Sequence, residues 1–327
     1  MAFQLIGLIY FGNGQGELHH IQVILEMVLL GLHSVLMLAS LILMIWTKRY
    51  QPNKVSLLVF TIIFIHCLSK VISDSSLLYL LTVNINSVPP SIMFEALELC
   101  AIVTYYCMYT IVLFSWVEVV FRVENMGHGQ DRVRLWRNVF CVFNAVWILA
   151  ISIISEVLFE VDLNVAIKVF DIGMVVVAAF SFCLSVAFVV YWIKLHRMVT
   201  TIQIRSTEKR DRFLFKVGVL TVVFILCLDA KIAHYLIDVK QPFSSTLWEL
   251  YGLNYLPEVL AVMVALAFFG SNIKLNEFNN NNTINDGTRG SYSATERANI
   301  RRREEKQGLL SSFRDEDYSM SGTASYI

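Results

Sequence analysis

The amino-acid sequence predicts an all-α membrane protein, a bundle of seven transmembrane helices. Hydrophobic residues make up 56% of the 327-residue chain and charged residues only 16%, whereas about 25% of the residues of a typical soluble domain are charged. Seven long apolar stretches follow one another along the chain, separated by short polar loops. Lys and Arg are concentrated in alternate loops, which is the pattern of a chain that crosses a membrane repeatedly.

The third stretch, residues 96–121, illustrates why each stretch is interpreted as a transmembrane helix. Its sequence is ALELCAIVTYYCMYTIVLFSWVEVVF, and no charged residue lies between Glu98 and Glu118. As a helix it is about 39 Å long, more than the bilayer's hydrocarbon core of about 30 Å. Apolar residues cover all its faces, whereas a helix on a soluble protein has one polar face. The seven predicted spans are 21–46, 55–82, 96–121, 136–159, 165–193, 213–237 and 248–269.

The distribution of positive charge predicts how the bundle is oriented. Of the 26 Lys and Arg residues, all except Lys70, Lys168, Lys231 and Lys240 lie in or at the edges of the loops after spans one, three and five or in the C-terminal tail. By the positive-inside rule, these regions face the cytosol and the N-terminus faces the lumen or the exterior. The predicted organisation is a short lumenal N-terminus (1–20), the seven-helix bundle (21–270) and a cytosolic tail (271–327).

The C-terminal tail has a different composition from the rest of the chain. It is rich in Asn, Ser, Arg and Glu and poor in large apolar residues, which predicts that it is mostly disordered. Glu305 lies four residues before the pair Leu309-Leu310, a pattern that resembles the acidic dileucine signal read by clathrin adaptors. This pattern predicts delivery to endosomes or lysosomes. The alternative is a short amphipathic helix that lies on the membrane surface.

The sequence carries no motif for catalysis or for metal binding. All six Cys residues fall within apolar stretches and none forms a CxxC pair, which favours free, buried thiols over a disulfide framework or a zinc site. HExxH, GxSxG and Walker-type glycine motifs are lacking. We therefore expect no enzyme, cofactor or metal. The formal net charge of zero gives no indication of a nucleic-acid partner.

Several ionisable residues lie inside the predicted spans, where such residues are costly and usually face the bundle interior. In the predicted orientation, most of them lie in the lumenal half. One interpretation is a lumen-facing polar cavity that binds a small ligand or protons. The other is a set of interhelical pairs that fix the bundle. Lys70 and Asp74 are four residues apart on one helix face and can pair with each other. The predicted cavity residues are Lys70, Asp74, Asp171, Asp229, Lys231 and Glu258.

Seven spans in this orientation are typical of G-protein-coupled receptors, but the motifs of the rhodopsin-like branch are missing. Span three leads into Phe121-Arg122-Val123 where that branch has Asp-Arg-Tyr. Span six has no CWxP motif and span seven has no NPxxY motif. A rhodopsin-like receptor is therefore disfavoured.

Another family fits the residues better. The run YTIVLFSWVE at 109–118, the following loop with Asp131-Arg132-Val133-Arg134, and the segment Lys216-Val217-Gly218 are similar to the tobamovirus multiplication protein family. Leu256-Pro257-Glu258 in span seven is similar as well, although that family usually has Glu before Pro. Animal orphan-receptor-like lysosomal membrane proteins are distant relatives of that family. The resemblance covers most of residues 21–270.

The resemblance implies a protein of vacuolar or lysosomal membranes whose cytosolic face binds small GTPases or other cytosolic proteins. We therefore expect a scaffold or regulator embedded in membrane lipid, with a clathrin adaptor binding its tail. Two alternatives remain: a ligand-sensing G-protein-coupled receptor and a proton-linked transporter. The same cations are also needed simply to set the topology. The predicted cytosolic docking residues are Trp116, Glu118, Arg122, Arg132, Arg134, Arg137, Lys209, Arg210 and Arg212.

Overall fold

The computed structural model of the chain describes residues 16–50, 54–83, 92–124, 130–161, 163–201, 207–240 and 249–286. All of these residues are helical, and none of them forms a β-strand. The helices are α1 (Gly16–Tyr50), α2 (Lys54–Val83), α3 (Ile92–Glu124), α4 (Gln130–Val161), α5 (Leu163–Thr201), α6 (Thr207–Lys240) and α7 (Leu256–Asp286), and a π-helical turn (Leu250–Tyr255) leads into α7.

Each of the seven helices contains a segment long and apolar enough to cross a bilayer, so the predicted fold class is confirmed. The number of such segments in the described part of the chain is seven. The predicted sidedness of the two termini remains a prediction. The segments are His20–Arg49, Lys54–Tyr79, Leu97–Phe121, Arg132–Ala150, Asp171–Thr201, Arg210–Ile237 and Leu250–Ser271.

The two ends of the described chain depart from the predicted boundaries. Helix α1 begins at Gly16, inside the predicted N-terminal segment, and α7 continues to Asp286, beyond the predicted end of the bundle at 270. Residues 271–286 contain neither Pro nor Gly, so nothing in that sequence stops the helix. Gly287, the next residue, is the type most often found just after a helix end. The predicted disorder of the remaining tail concerns residues outside the described ranges.

The π-helical turn at the start of span seven has a local cause. Pro257 has no N–H to donate to the carbonyl of residue 253, and its ring clashes with that carbonyl in a regular α-helix. The wider turn at Leu250–Tyr255 ends two residues before this proline. Such turns inside helices occur frequently at functional sites. Here the turn directs Tyr251, Asn254 and Tyr255 into the interior, where all three are buried.

The helices pack in sequence order around a closed ring, and α3 is the one nearest the middle. Each helix contacts the next along the chain, α7 returns to contact α1 and α2, and α3 also contacts α5. Aromatic rings hold α3 in place: Tyr109 packs on Phe224 with ring centroids 4.4 Å apart, and Trp116 meets Phe188 edge-on at 5.3 Å. Helix α4 is the least enclosed of the seven. The interior therefore lies between α1, α2, α3, α6 and α7.

Candidate functional site

One carboxylate, Glu258 of α7, links two lysines that come from different helices. Its Oε1 accepts a hydrogen bond from Lys231 Nζ of α6 at 2.5 Å, and its Oε2 lies 3.3 Å from Lys70 Nζ of α2. All three side chains are only 1% exposed. Lys231 also donates to the side-chain oxygen of Asn254 in the π-helical turn. Glu258 therefore ties α2, α6 and α7 together in the interior.

Lys70 extends this arrangement to α3. Its ammonium group donates to Glu98 Oε2 at 2.8 Å, and the Ser73 hydroxyl donates to Glu98 Oε1 at 2.5 Å. Both lysines also lie over aromatic rings, Lys70 at 4.8 Å from the Tyr255 centroid and Lys231 at 5.4 Å from that of Tyr105. A cation over the face of a ring is stabilised by the ring quadrupole, most strongly where water is excluded. Carboxylate groups and aromatic rings thus stabilise both buried ammonium groups in place of water.

Two further contacts bring α1 into the same interior. His33 Nδ1 lies 2.7 Å from Asp74 Oδ2 of α2, and the Tyr251 hydroxyl donates to Glu26 Oε1 at 2.5 Å. All four side chains are buried. We call the whole arrangement the ionic network. Its members are Glu26, His33, Lys70, Asp74, Glu98, Lys231, Asn254, Tyr251 and Glu258.

The ionic network sits in one half of the bundle. Glu98 lies near the start of the α3 span and Glu258 two turns from the start of the α7 span, whereas Lys70 and Lys231 lie beyond the middle of theirs. Since successive helices run in opposite directions, all these positions fall in the half away from the loops that carry most Lys and Arg. Buried ion pairs need good geometry to offset desolvation, and removing one partner is strongly destabilising. The network therefore fixes the relative positions of five helices.

The structure brings together four of the six predicted cavity residues. Lys70, Asp74, Lys231 and Glu258 all belong to the ionic network. Asp229 does not: its side chain is exposed on α6 and accepts a hydrogen bond from Ser185 of α5 at 3.2 Å. Asp171 is partly exposed at the start of the α5 span, and within the described residues no ion pair joins it to the ionic network.

The suggested pairing of Lys70 with Asp74 on one face of α2 is wrong. Lys70 pairs with Glu98 and Glu258, and Asp74 pairs with His33. Partners on other helices outcompete the neighbour one turn away, because they also supply the hydrogen bonds that a buried charge needs.

The predicted cavity does not include Glu26, His33, Glu98, Tyr251 or Asn254, although the first three are ionisable residues inside the predicted spans. The sequence does contain a signal for the first two of them. Polar residues recur every seven positions along α1, and all of them are 1% exposed or less; they are Glu26, His33, Ser40 and Thr47. Seven residues are close to two helical turns, so these side chains share one inward face. Tyr251 and Asn254 depend on the π-helical turn, which has no comparable signal.

A second group of predicted residues lies at the other end of the bundle, where α1, α3 and α5 finish and α2, α4 and α6 begin. We call this the basic end. Arg134 Nε of α4 donates to Glu118 Oε1 of α3 at 3.1 Å; Glu118 is buried and Arg134 is half-exposed. Trp116, two residues before Glu118 in α3, is completely buried.

Other cations at the basic end differ in exposure. Arg132 and Arg212 are exposed, and Arg210 and Arg137 are partly buried. Lys216 of α6 donates to the Ser271 hydroxyl of α7 at 3.0 Å, which brings α7 to the same end. The side chains of Arg122 and Lys209 lie outside the described part of the structure.

Comparison with protein families gives a match that covers the first six helices. The family model described as the THH1/TOM1/TOM3 domain matches residues 16–246, more than two thirds of the chain. The chain belongs to this family. The match begins where α1 begins and ends between α6 and the π-helical turn. No curated protein matches the chain.

Membership of the THH1/TOM1/TOM3 family confirms the predicted resemblance to tobamovirus multiplication proteins. The matched interval contains the α1, α2, α3 and α6 parts of the ionic network and the pair of Glu118 and Arg134. Tyr251, Asn254 and Glu258, which complete the network, follow the matched interval. Fold and family are thereby established.

Proposed function

We propose that this THH1/TOM1/TOM3-family protein is a seven-helix scaffold or regulator of endolysosomal or vacuolar membranes. Its basic end faces the cytosol and binds cytosolic proteins such as small GTPases. The observation that carries the proposal is the segregation of charge: Lys and Arg occupy the loops at one end of a bundle that belongs to this family. The network at the opposite half is then lumenal and holds the bundle in shape.

The basic end has the properties of a protein-binding surface on a rigid base. Exposed cations such as Arg132 and Arg212 can contact an acidic partner, and electrostatic complementarity mainly raises the rate of association and the specificity. The pair of buried Glu118 with half-exposed Arg134 connects α3 to α4, and the contact of Lys216 with Ser271 connects α6 to α7. A partner would therefore bind a surface whose helices are mutually fixed.

Charge reversal at the basic end should weaken binding of a small GTPase. In the double variant Arg132→Glu/Arg212→Glu, two exposed cations become anions, and we expect the affinity for a purified small GTPase to fall about tenfold, since each tenfold change corresponds to about 1.4 kcal/mol. Binding is measured with the full-length protein in nanodiscs, using the GTPase loaded with GDP or with a GTP analogue. Lys168→Glu, an exposed cation at the other end of the bundle, is the matched control and should leave the affinity unchanged.

Equal loss of affinity in the control would contradict a cytosolic binding surface at the basic end. Binding that is unaffected by either variant would contradict it as well. Guanine-nucleotide-sensitive coupling to a heterotrimeric G protein would instead support the ligand-sensing receptor. Substrate flux in proteoliposomes that is abolished by Asp74→Asn would support the transporter.

Removing the dileucine pattern should relocate the protein. In Leu309→Ala/Leu310→Ala, the two side chains that adaptors bind are truncated, so we expect a tagged protein to move from endolysosomal or vacuolar membranes to the plasma membrane. Imaging of the tagged protein in cells measures the distribution. Ser311→Ala/Ser312→Ala, adjacent in sequence, is the control and should keep the original location. Plasma-membrane residence of the unchanged protein would contradict the proposed compartment.

A further inference from the structure

We propose that the interior of the bundle binds a proton at Glu26 of α1, which Tyr251 holds by a hydrogen bond from the π-helical turn. This site is separate from the binding surface at the basic end and is a property of the ionic network itself. It rests on the charge balance of the network, on the neutral partner of Glu26 and on unpartnered polar atoms beside it.

The ionic network contains more acids than bases. Its acids are Glu26, Asp74, Glu98 and Glu258, and its bases are Lys70, Lys231 and His33. Two more buried histidines, His66 and His234, lie close enough to act on Glu258 electrostatically. With both of them neutral and His33 as the imidazolium, one negative charge is left over when all four carboxylates are ionised. A buried charge without compensation is far more costly than the same group in its neutral form. One of the four acids is therefore expected to carry a proton.

The geometry selects Glu26 among the four. Asp74 faces His33 at 2.7 Å, Glu98 faces Lys70 at 2.8 Å and Glu258 faces both lysines. Glu26 has no cation within the distance of an ion pair in the described part of the chain, and its hydrogen-bond partner is the neutral phenol of Tyr251. A neutral donor satisfies the carbonyl oxygen of a carboxylic acid without requiring a charge on it.

The charges that face Glu26 from the neighbouring helices also favour Glu26 as the acid that carries the proton. Asp74 and Lys70 of α2 and Glu98 of α3 act on it electrostatically, two of them anions and one a cation. The π-helical turn contributes Tyr251, a neutral donor, whose hydrogen bond stabilises a carboxylate but does not neutralise its charge. Like charges disfavour the ionised form of an acid. The surroundings of Glu26 are therefore more negative than positive, which favours a bound proton.

Unpartnered polar atoms lie on both sides of Glu26 along α1. Gln22, one turn before it, is 1% exposed and its Nε2 has no hydrogen-bond partner within the described residues. His33, two turns after it, is 1% exposed and its Nε2 likewise has none there. The three residues share the inward face of α1. Buried polar atoms of this kind commonly bind ordered water, which would let a proton reach Glu26 from either side.

Infrared spectroscopy of the full-length protein in nanodiscs tests the site directly. Near neutral pH, exposed Asp and Glu are ionised, so a carboxylic-acid carbonyl band reports a buried, protonated acid. We expect the band in the unchanged protein, its loss in Glu26→Gln, and its shift to another frequency in Tyr251→Phe, which removes the hydrogen bond. Asp171→Asn is the matched control and should leave the band unchanged. Absence of the band in the unchanged protein, or its persistence in Glu26→Gln, would overturn the proposal.

The pH dependence of unfolding provides a second measurement. A folded state that binds a proton more tightly than the unfolded chain loses stability as the pH rises from the Glu pKa of the unfolded chain, about 4.3, to the pKa at which the folded protein releases the proton. The loss is up to tenfold in the folded-to-unfolded ratio per pH unit. Unfolding in mixed micelles should show this loss for the unchanged protein and for Asp171→Asn. It should be absent from Glu26→Gln, whose amide cannot ionise. The same loss in Glu26→Gln would assign the proton to another group and contradict the site.

Discussion

Glu258→Gln is expected to lower the free energy of unfolding by about 3–5 kcal/mol, the range for removing one partner of a buried ion pair. The amide retains the shape of the side chain but not its charge. Lys231 would then lack its carboxylate, and Lys70 would keep only Glu98. Two buried ammonium groups would remain close together with insufficient compensation. Unfolding in mixed micelles, followed by circular dichroism, measures the loss.

Asp229→Asn is the matched control for this substitution. It removes the charge from another carboxylate in the same half of the bundle, but Asp229 is exposed and its hydrogen bond comes from the neutral Ser185 hydroxyl at 3.2 Å. The Asn side-chain oxygen can still accept this bond, and even its complete loss typically costs only about 0.5–1.5 kcal/mol. If Asp229→Asn proved as destabilising as Glu258→Gln, the ionic network would not be the part of the interior that fixes the helices.

Trp116→Ala is the second large effect, with an expected cost of about 3–5 kcal/mol, the range for truncating a buried aromatic side chain. Trp116 is completely buried in α3 and meets Phe188 of α5 edge-on at 5.3 Å. In a bilayer, helices associate largely through close packing, so the cavity left by the indole removes contacts that lipid cannot replace. The same unfolding measurement applies.

Trp116→Phe separates packing from hydrogen bonding. The indole N–H of Trp116 has no hydrogen-bond partner in the described part of the chain, so its removal sacrifices no hydrogen bond there. A phenyl ring retains part of the contact with Phe188, and we expect at most about half the cost of the alanine variant. A phenylalanine variant as unstable as the alanine variant would show that the N–H is needed, against this account.

The fold could be predicted because each apolar stretch is visible in the sequence. The partners of the charged residues could not be predicted, because they lie on different helices. Each span is recognisable from twenty or more local residues, independent of the others. The contact of Lys70 with Glu258 depends on where α2 and α7 meet, and the sequence does not specify that meeting point. Local spacing even indicated the wrong partner, Asp74. Seven helices permit many pairings of the same charges, and only packing selects among them.

The recurrence of polar residues along α1 shows what could have been predicted further. Glu26, His33, Ser40 and Thr47 follow a seven-residue period in an otherwise apolar helix, so their common orientation is contained in the sequence. The role of Tyr251 is not, because it depends on the widened turn before Pro257. Asp229 was wrongly predicted to lie in the interior, because the prediction used only its charge and its position within a span. Its side chain is exposed.

The uninterrupted length of α7 gives the bundle a mechanical connection between its two ends. From Glu258 to Asp286 the helix has no break, a distance of about 42 Å at about 1.5 Å per residue. A small change in tilt where Glu258 meets the two lysines is therefore magnified along this rod at its far tip. A rearrangement of the contacts of Glu258 would therefore also displace the C-terminal end of α7, on the opposite side of the bundle.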